Sequence, residues 1–264
     1  KGKFSDFSLR STHQPTFYMK CAILITARLK STRLPLKVIK EIHGSPMIKH
    51  MLDRLKLAHR PDEIVICTST VGQDDKLVEI ACQEGVEFFR GDADDVLLRL
   101  LNAADHFGVE TIINCTADNP FVDPIYIDKL YDFHIAKEND FTKIEGLPWG
   151  VFSYAISRDA MKKACEIKNE KDTEVWHGYF MEGDHFKWSA LEVKDEKVFW
   201  PDLRLTVDTP EDFEMVSTVF DRLYEPPHVF SLEDIVKLCQ ESPEIPLINS
   251  EVKQKAGIPI KFKQ

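Results

Sequence analysis

The segment AILITARLKSTRLPLKVIKEIHGSPMIKHMLDRL, residues 22–55, decides the fold because it joins a buried strand to a helix through a basic loop. It begins with a short apolar run, Ala22 to Ile25, which is typical of a strand covered on both faces. It ends in apolar residues at helical spacing behind Pro46, which suits a first helical turn. The loop therefore lies at the carboxyl end of a strand, the edge where open α/β sheets bind ligands.

This loop is basic throughout, although the 264-residue chain has a formal net charge of -10; its basic residues are Arg28, Lys30, Arg33, Lys37 and Lys40. Such charge can belong to a solvated surface without any function. The ligand edge, with Ser31, Thr32 and backbone amides as further donors, favours phosphate binding instead. Because the charge is concentrated in one loop, a small polyanion such as a nucleoside triphosphate is expected, and nucleic acid is not.

Strand-like and helix-like segments alternate along the first half of the chain. We predict strands at 20–26, 63–68, 86–90 and 109–115, and helices at 46–58, 73–84, 95–107 and 124–137. This alternation indicates βαβ units, so we expect a three-layer α/β fold whose mostly parallel sheet has helices on both faces. Gly85 and Gly108 each follow a periodic run, as a left-handed residue at a helix end would.

The alternation ends near residue 140, and a less regular insertion is expected over 141–200. There FTKIEGLPWGVFSYAIS suggests two strands joined by a loop, and FKWSALEV another strand; further on, LRLTVDTPEDFEMVSTVFDRLY suggests a strand running into a capped helix. We expect 19–264 to form one domain, with 141–200 on its acceptor side and in a subunit contact. The polar, aperiodic residues 1–18 are expected to be an N-terminal extension, artificial or the tail of an upstream segment.

Composition bears on the cellular setting. No segment reaches the ~18 apolar residues of a membrane helix, and no apolar signal stretch is present, so we expect a cytoplasmic protein without a membrane partner. The six cysteines form no CxxC pair, and Cys21, Cys67 and Cys115 stand in strand-like runs. Buried thiols are therefore expected rather than disulfides or a zinc site.

Two aspartates follow strand-like segments and could meet at the ligand edge. Asp118 lies in TIINCTADNPFVDP, and Asp208 lies in LRLTVDTPEDFE. Each could simply be a helix N-cap, and Thr209-Pro210 makes that interpretation as strong as any other for Asp208. If the two converge, they suit Mg²⁺, which takes one or two carboxylates together with substrate phosphates.

A second acidic cluster lies in RGDADDVLLR, residues 90–99. Asp92 and Asp94 form a DxD, the metal-binding signature of many nucleotide-sugar glycosyltransferases. Acids at this point would also complement the dipole of the following helix. Because three-letter patterns occur often by chance, the structural interpretation is favoured.

From Met19 to about Tyr224 the chain resembles the cytidylyltransferases that activate sugar acids. The opening segment is close to the family pattern AR-x-x-S-x-RLPGK followed by G-x-PM, and EIVICTST, FFRGDADDVLLRLLNAA, TADNPFVDP, GLPWG and RLTVDTPED follow in the family's order. The similarity is greatest to the branch typified by the spore-coat polysaccharide protein SpsF. The resemblance implies a Mg²⁺-dependent, homodimeric enzyme that transfers CMP from CTP to a sugar acid or small phosphorylated acceptor, releasing pyrophosphate, in surface glycan biosynthesis.

The resemblance also implies roles for individual residues. The CTP phosphates would lie over Ala27, Arg28, Ser31, Arg33 and Lys37. Arg28 and Lys37 would act in catalysis with Asp118 and Asp208, which match the family's Mg²⁺-binding aspartates. The base and ribose would lie near Thr68, Ser69, Asp92, Asp95 and Arg99. The acceptor would lie near Trp149, Glu174, His177 and Tyr179.

Three positions depart from the family pattern. Leu36 and Ala117 replace glycines, and EVWHGYF lacks the arginine of the family's REH-x-x-x-YF stretch. Because Pro35 fixes its own φ near -65°, we expect the chain at Leu36 to have relaxed to a negative φ, with the leucine folded back onto the first helix. Two alternatives stay open: a glycosyltransferase that holds its metal on Asp92 and Asp94, and a nucleotide-binding module without catalysis.

Overall fold

A seven-stranded sheet forms the centre of the described part of the molecule. The computed structural model describes residues 19–173, 175–254 and 260–263, so the extension expected at 1–18 and the acceptor residue Glu174 lie outside the described residues. The strands are β1 Cys21–Thr26, β2 Glu41–Ile42, β3 Ser45–Pro46, β4 Glu63–Ser69, β5 Glu87–Gly91, β6 Thr111–Thr116, β7 Phe141–Glu145, β8 Tyr154–Ser157 and β9 Trp188–Glu192. The short β2 and β3 pair with each other as a hairpin outside the main sheet.

The main sheet has the order β5-β4-β1-β6-β8-β7-β9. Strand β8 runs antiparallel to its neighbours β6 and β7, and the remaining pairs are parallel. Strand β7 therefore points the same way as β6. The carboxyl ends of β1, β6 and β7 consequently lie along one edge of the sheet.

Helices cover both faces of the sheet, and this confirms the predicted fold class. They are α1 Met47–Leu55, α2 Asp75–Glu84, α3 Val96–Phe107, α4 Pro124–Lys137, α5 Arg158–Ile167, α6 Gly178–Met181, α7 Pro210–Leu223, α8 Leu232–Glu241 and α9 Glu244–Leu247, with 3-10 turns at Lys37–Ile39 and Gly72–Asp74. Strand β1 shows why its sequence is apolar throughout: Ile23 and Ile25 belong to an apolar cluster that includes residues of α1, α2, α4, α7 and α8, whereas Leu24 belongs to a second cluster that includes residues of α3, α5 and α6.

Most predicted elements are confirmed within a few residues, and the bounds of α4 match the prediction. Gly85 and Gly108 end α2 and α3 with positive φ values of 65° and 66°, as expected. No helix among the described residues combines the length and apolarity needed to cross a bilayer.

The strand predicted in LRLTV is wrong. Residues 203–207 run beside Trp149, whose N–H donates to Leu203 O at 2.8 Å while its carbonyl accepts from Leu205 N at 2.7 Å. The pairing stops there, because Gly150 turns away with a φ of 95° and a Cβ on it would lie 2.5 Å from Thr206 N. A single bridge forms instead of a ladder.

All six cysteines lie within the described residues and are free. Cys21, Cys67 and Cys115 are buried in β1, β4 and β6, as predicted. Burial raises the pKa of Cys67 to about 12, so this thiol stays protonated and unreactive. Cys82, by contrast, is exposed.

Candidate active site

A cleft of about 640 Å³ opens where β1 and β6 end. The loop after β1 forms one wall, and α3 with the segment before α6 forms another. The lining residues are Thr26, Ala27, Arg28, Lys30, Ser31, Thr32, Arg33, Lys37, Val38, Asp94, Val96, Arg99, Thr116, Ala117, Asp118, Asp172, Trp176 and Asp208. The structure thus brings the predicted basic loop and both predicted aspartates into one cavity.

The two aspartates meet at the ammonium group of Lys37. Lys37 Nζ donates to Asp118 Oδ2 and to Asp208 Oδ1, at 2.9 Å in each case, and to Val207 O at 2.8 Å. Arg33 Nη2 also lies 3.1 Å from Asp208 Oδ1. A lysine and two aspartates distant in the sequence therefore form one charged cluster in the cleft.

The charge states of this cluster follow from its contacts. Burial alone would lower the pKa of Lys37, but Asp118 and Asp208 outweigh that effect and raise it. Burial alone would raise the pKa of Asp208, but Lys37, Arg33 and Arg204 outweigh it and hold the pKa below its ordinary value. Lys37 and Asp208 are therefore both ionised at neutral pH.

Backbone contacts place the two carboxylates side by side. Ala117 N donates to Thr26 O at 3.0 Å, and Val207 N donates to Asp118 O at 2.9 Å, so the loop after β6 lies between β1 and the approach to α7. The hydroxyl of Thr116 donates to Asp118 Oδ1 at 2.6 Å. The N-cap interpretation of Asp208 is wrong, because Thr209 caps α7.

A buried network behind Asp208 was missed by the sequence reasoning. Arg204 Nη2 donates to Asp208 Oδ2 at 3.1 Å, and its Nε donates to Asp212 Oδ1 at 2.8 Å. Asp212 is fully buried and also accepts from the backbone amides of Asp208 and Thr209 and from Asn249 Nδ2. The Thr-x-x-Asp spacing of a capping box was the available signal for Asp212. Arg204 fixes one oxygen of Asp208 and leaves the other facing Lys37.

Thr68 and Ser69, expected near the base and ribose, lie beneath the basic loop instead of lining the cleft. Both are buried at the end of β4. Ser69 Oγ donates to Asp74, whose other carboxylate oxygen accepts from Leu29 N at 2.8 Å. This contact holds the start of the loop against the 3-10 turn before α2, so Asp74 is a further site-shaping residue that the sequence did not reveal.

The acidic cluster at 92–95 serves three different partners. Asp92 Oδ1 accepts from the amides of Asp94 and Asp95 at 2.9 Å each. Asp94 contacts Arg28 at 3.3 Å. Asp95 caps α3 and forms a buried ion pair with Lys168. These acids therefore bind backbone amides and neighbouring basic side chains, as the structural interpretation of the cluster expects.

Arginines in the cleft are fixed by the same segment. Arg28 Nη1 donates to Ala93 O, and Arg99 Nη1 donates to Asp92 O and, at 3.3 Å, to Ala93 O. Burial and the nearby charge of Arg28 lower the pKa of Arg99. Of the five residues expected near the base and ribose, Arg99 lines the cleft and the other four support its walls.

Aromatic residues continue from the cleft along the segment after β7. Trp149, which is 42% exposed, contacts Phe152 edge to face with ring centroids 5.4 Å apart. Tyr154 stacks on His177 with centroids 5.8 Å apart. Burial, assisted by the charge of Lys143, lowers the pKa of His177, so its ring is neutral at pH 7. Tyr179 is buried and donates to Lys261 O at 3.3 Å, so it supports the wall from behind.

Comparison with known proteins decides the family. Residues 22–252 match the family model described as cytidylyltransferase. This chain is a member of that family. It is therefore an enzyme, a nucleotidyltransferase, and the resemblance seen in the sequence motifs is confirmed.

Individual relatives agree with this assignment. The chain is 28% identical over 228 residues to the spore coat polysaccharide biosynthesis protein SpsF of Bacillus subtilis, covering 84% of this chain and 94% of that protein. It is 33% identical over 113 residues to the 3-deoxy-manno-octulosonate cytidylyltransferase of Geobacter sulfurreducens, covering 42% and 44%. A cytidylyltransferase structure from Leptospira borgpetersenii superposes with a TM-score of 0.80 at 26% identity, covering 91% of this chain and all of that one.

The backbone at Leu36 corrects one expectation. Leu36 stands where the cytidylyltransferase pattern has glycine, and its φ is 57° with ψ at 22°, so the predicted relaxation to negative φ is wrong. Its side chain is 41% exposed and does not fold back onto α1. Leu36 is the residue directly before the 3-10 turn Lys37–Ile39, and Lys37 in that turn lines the cleft. Ala117, at the other replaced glycine, has no positive φ.

Leu36→Gly is expected to raise the free energy of unfolding by about 1 kcal/mol. Relief of the left-handed strain, about 1–3 kcal/mol, exceeds the greater chain entropy of an unfolded glycine, about 0.5–1 kcal/mol. Urea denaturation measures the change. Leu36→Ala, which shortens the side chain but keeps the strained φ, is the matched control. Equal or lower stability of Leu36→Gly relative to Leu36→Ala would contradict the strain.

Proposed function

We propose that this protein transfers CMP from CTP to a sugar acid or a small phosphorylated acceptor, with Mg²⁺ as cofactor and pyrophosphate as the leaving group. One observation carries the proposal: Asp118 and Asp208 both contact the ammonium group of Lys37 in the basic loop. Membership in the cytidylyltransferase family supports CTP as donor. The relatives named for 3-deoxy-manno-octulosonate and for spore coat polysaccharide support a sugar acid and surface glycan biosynthesis.

The donor set of the cleft fits Mg²⁺. Asp118 Oδ2 and Asp208 Oδ1 both contact one ammonium nitrogen, which shows that their oxygens can share a cation. No cluster of three or more metal-binding side chains occurs among the described residues. Mg²⁺ commonly binds one or two carboxylates and completes its coordination with substrate phosphates. When bound, Mg²⁺ would neutralise the negative charge that develops on the phosphate oxygens.

The chain's own residues would bind and orient the substrates. Arg28, Arg33, Lys37 and Ser31, with the backbone at Ala27, would hold the triphosphate. An acceptor oxygen attacks the α-phosphorus in line; its bond to phosphorus forms as the bond to the β-phosphate oxygen breaks. Arg33 and Lys37 stabilise the departing pyrophosphate. Such chemistry requires positioning and charge neutralisation rather than a covalent protein intermediate.

Nucleoside and acceptor would occupy opposite ends of the cleft. Arg99 would contact the nucleoside directly, and Thr68, Ser69, Asp92 and Asp95 would shape its surroundings. Trp149 and His177 would lie on the acceptor side, and Trp176, next to His177 in the chain, lines the cleft. Tyr179 would support this wall, and Glu174 keeps the acceptor role that the resemblance implies.

The glycosyltransferase alternative finds no support in the acidic cluster. Asp92 binds backbone amides and Asp94 binds Arg28, so the DxD carboxylates have separate partners. A module without catalysis could dispense with the carboxylates at the ligand edge. The placement of both Asp118 and Asp208 on Lys37 favours the enzyme.

Pyrophosphate release tests the proposal. The purified protein is incubated with CTP, Mg²⁺ and a panel of sugar acids and phosphorylated acceptors, and parallel reactions contain ATP, GTP or UTP. We expect CTP-dependent release with at least one acceptor and a CMP adduct in the products. Sugar transfer from an intact nucleotide sugar, without pyrophosphate release, would instead establish a glycosyltransferase.

A homodimer belongs to the same proposal. Residues 19–264 would act as one domain, and the segment 141–200 would supply the contact between subunits. Trp188 and Phe199 in this segment are exposed large apolar side chains, 36% and 49% exposed. The free cysteines fit the reducing cytoplasm as the proposed location. Light scattering should return twice the 30.4 kDa chain mass, and the monomer mass at all concentrations would refute the dimer.

A further inference from the structure

We propose that Lys37 is an exchangeable counterion: its ammonium group occupies the position between Asp118 and Asp208 that a divalent cation would take. The lysine thereby keeps free metal ions out of this site until a nucleoside triphosphate binds and its phosphate oxygens accept the hydrogen bonds of the lysine. The inference rests on the proposed function, since it assigns the metal to these two carboxylates. It adds an obligatory coupling between metal binding and nucleotide binding.

The contacts of Lys37 satisfy the ammonium group completely. An ammonium has three N–H donors, and Lys37 Nζ has three acceptors at 2.8–2.9 Å: Asp118 Oδ2, Asp208 Oδ1 and Val207 O. The side chain of Lys37 is only 13% exposed. A metal ion that bridged the same two carboxylate oxygens would take the position of the ammonium group, so it would have to displace the lysine.

The charges of the cluster oppose metal binding without nucleotide. Asp118, Asp208 and Asp212 carry three negative charges, and Lys37, Arg33 and Arg204 carry three positive charges in contact with them. The net charge is zero, so a divalent ion would enter a cluster that is already neutralised. The ion would therefore gain little net attraction from the cluster, and its repulsion by the ammonium of Lys37 is screened less in the partly buried cleft than it would be at an open surface.

Binding of a triphosphate would draw Lys37 away from the two carboxylates. Its oxygens offer Lys37 and Arg33 new acceptors within the same cleft, which both residues line. The carboxylate oxygens then become available to the metal. Because coupling between two ligands is reciprocal, metal and nucleotide must each increase the affinity of the other.

Binding of Mn²⁺ to the nucleotide-free protein tests the inference, with the free ion measured by electron paramagnetic resonance. We expect Lys37→Met to bind Mn²⁺ about tenfold or more tightly than the wild type, within the usual range of coupling between sites. Lys30→Met is the matched control. Lys30 is an exposed lysine of the same cleft that none of the described hydrogen bonds joins to Asp118 or Asp208. It should change Mn²⁺ affinity by less than about threefold, because the charge of an exposed lysine that does not contact the carboxylates is screened by solvent and salt.

A gain of the same size in both variants would show a general charge effect and overturn the inference, as would no gain in Lys37→Met. Adding Asp118→Asn to Lys37→Met should abolish the gain; a gain that persists would place the metal elsewhere and also overturn it. If Lys37→Met does not fold, Lys37→Gln replaces it. The wild type alone gives a second test, because a nonhydrolysable CTP analogue should raise its Mn²⁺ affinity about tenfold or more after the Mn²⁺ bound by the analogue in a protein-free titration is subtracted, and unchanged affinity contradicts the coupling.

Different results would refute the proposed function and the counterion role of Lys37. Mg²⁺-dependent pyrophosphate release by the wild type, together with unchanged Mn²⁺ affinity in Lys37→Met, would leave the function intact and remove the counterion role. Tighter Mn²⁺ binding by Lys37→Met, with no turnover of CTP in the wild type, would support the counterion role and refute the function.

Discussion

Asp118→Asn is expected to lower turnover at least about a hundredfold, taking the loss on removing an outer-shell partner of a metal ligand as the minimum. The carboxylate oxygen that contacts Lys37 is the one available to a metal, and an amide binds a hard cation far less strongly. Asparagine retains the shape and the acceptor for Thr116, so the protein should still fold. Asp208→Asn should lower turnover similarly. Pyrophosphate release at saturating CTP measures both.

Asp94→Asn is the control for these two substitutions. Asp94 also lines the cleft, but its described ion pair is with Arg28 at 3.3 Å, away from the Lys37 cluster. Its turnover should stay within about tenfold of the wild type, since a partly exposed ion pair contributes little. Near-normal turnover in Asp118→Asn or Asp208→Asn would remove that residue from the mechanism. A greater loss in Asp94→Asn than in either would favour a metal site on the DxD.

Asp212→Asn is expected to lower the free energy of unfolding by about 3 kcal/mol or more, the range for breaking a buried ion pair. The fully buried Asp212 neutralises Arg204 and accepts from two backbone amides and Asn249. Removing its charge leaves the Arg204 guanidinium with fewer anionic partners in a buried setting. Urea denaturation monitored by circular dichroism measures the change.

Asp234 provides a matched control, because it occupies the equivalent capping-box position in α8 but is exposed. Asp234→Asn should cost only about 1 kcal/mol, the usual value of a cap. Equal losses for the two variants would show that Asp212 acts as a cap and that its pairing with Arg204 contributes little.

The same pair predicts a dependence on pH. Burial alone would raise the pKa of Asp212, but Arg204, the Asp208 amide and Asn249 outweigh it and lower the pKa below the ordinary value of 3.8. A carboxyl with a lowered pKa stabilises the fold fully above its unfolded pKa, and that stabilisation disappears as the pH falls through the folded pKa. The stability difference between wild type and Asp212→Asn should therefore be constant at neutral pH and shrink below about pH 4. A stability difference that does not begin to shrink as the pH falls below the unfolded pKa would contradict the assignment.

Local patterns in the sequence predicted much of the fold and part of the site. The unbroken apolar run of β1 indicated a strand covered on both faces, and the Pro-initiated periodicity at 124–137 indicated α4 with its bounds. The basic loop, Asp118 and Asp208 were identified because each follows a strand-like segment, and strands of a parallel sheet end at a common edge. These features depend on neighbours within a few residues, which the sequence displays directly.

Several positions could not be predicted because their state depends on distant contacts. Leu36 keeps a left-handed backbone, directly before the 3-10 turn at Lys37, that Pro35 alone would not suggest. Thr68 and Ser69 end strand β4 near the ligand edge, yet both are buried, and Ser69 contacts Asp74 beneath the basic loop. Residues 203–207 have the pattern of a strand but lack a partner that continues beyond Trp149.

The sequence by itself determined most of the segments that form strands and helices and the loop that carries the positive charge, because burial periodicity and charge are properties of neighbouring residues. Only the tertiary structure decided which charges meet. Lys37 reaches Asp118 across 81 positions and Asp208 across 171, and Arg204 with Asp212 orients the second carboxylate from behind. Those contacts exist because β1, β6 and the approach to α7 end side by side, and Coulomb and hydrogen-bond energies depend on distance in space, not along the chain.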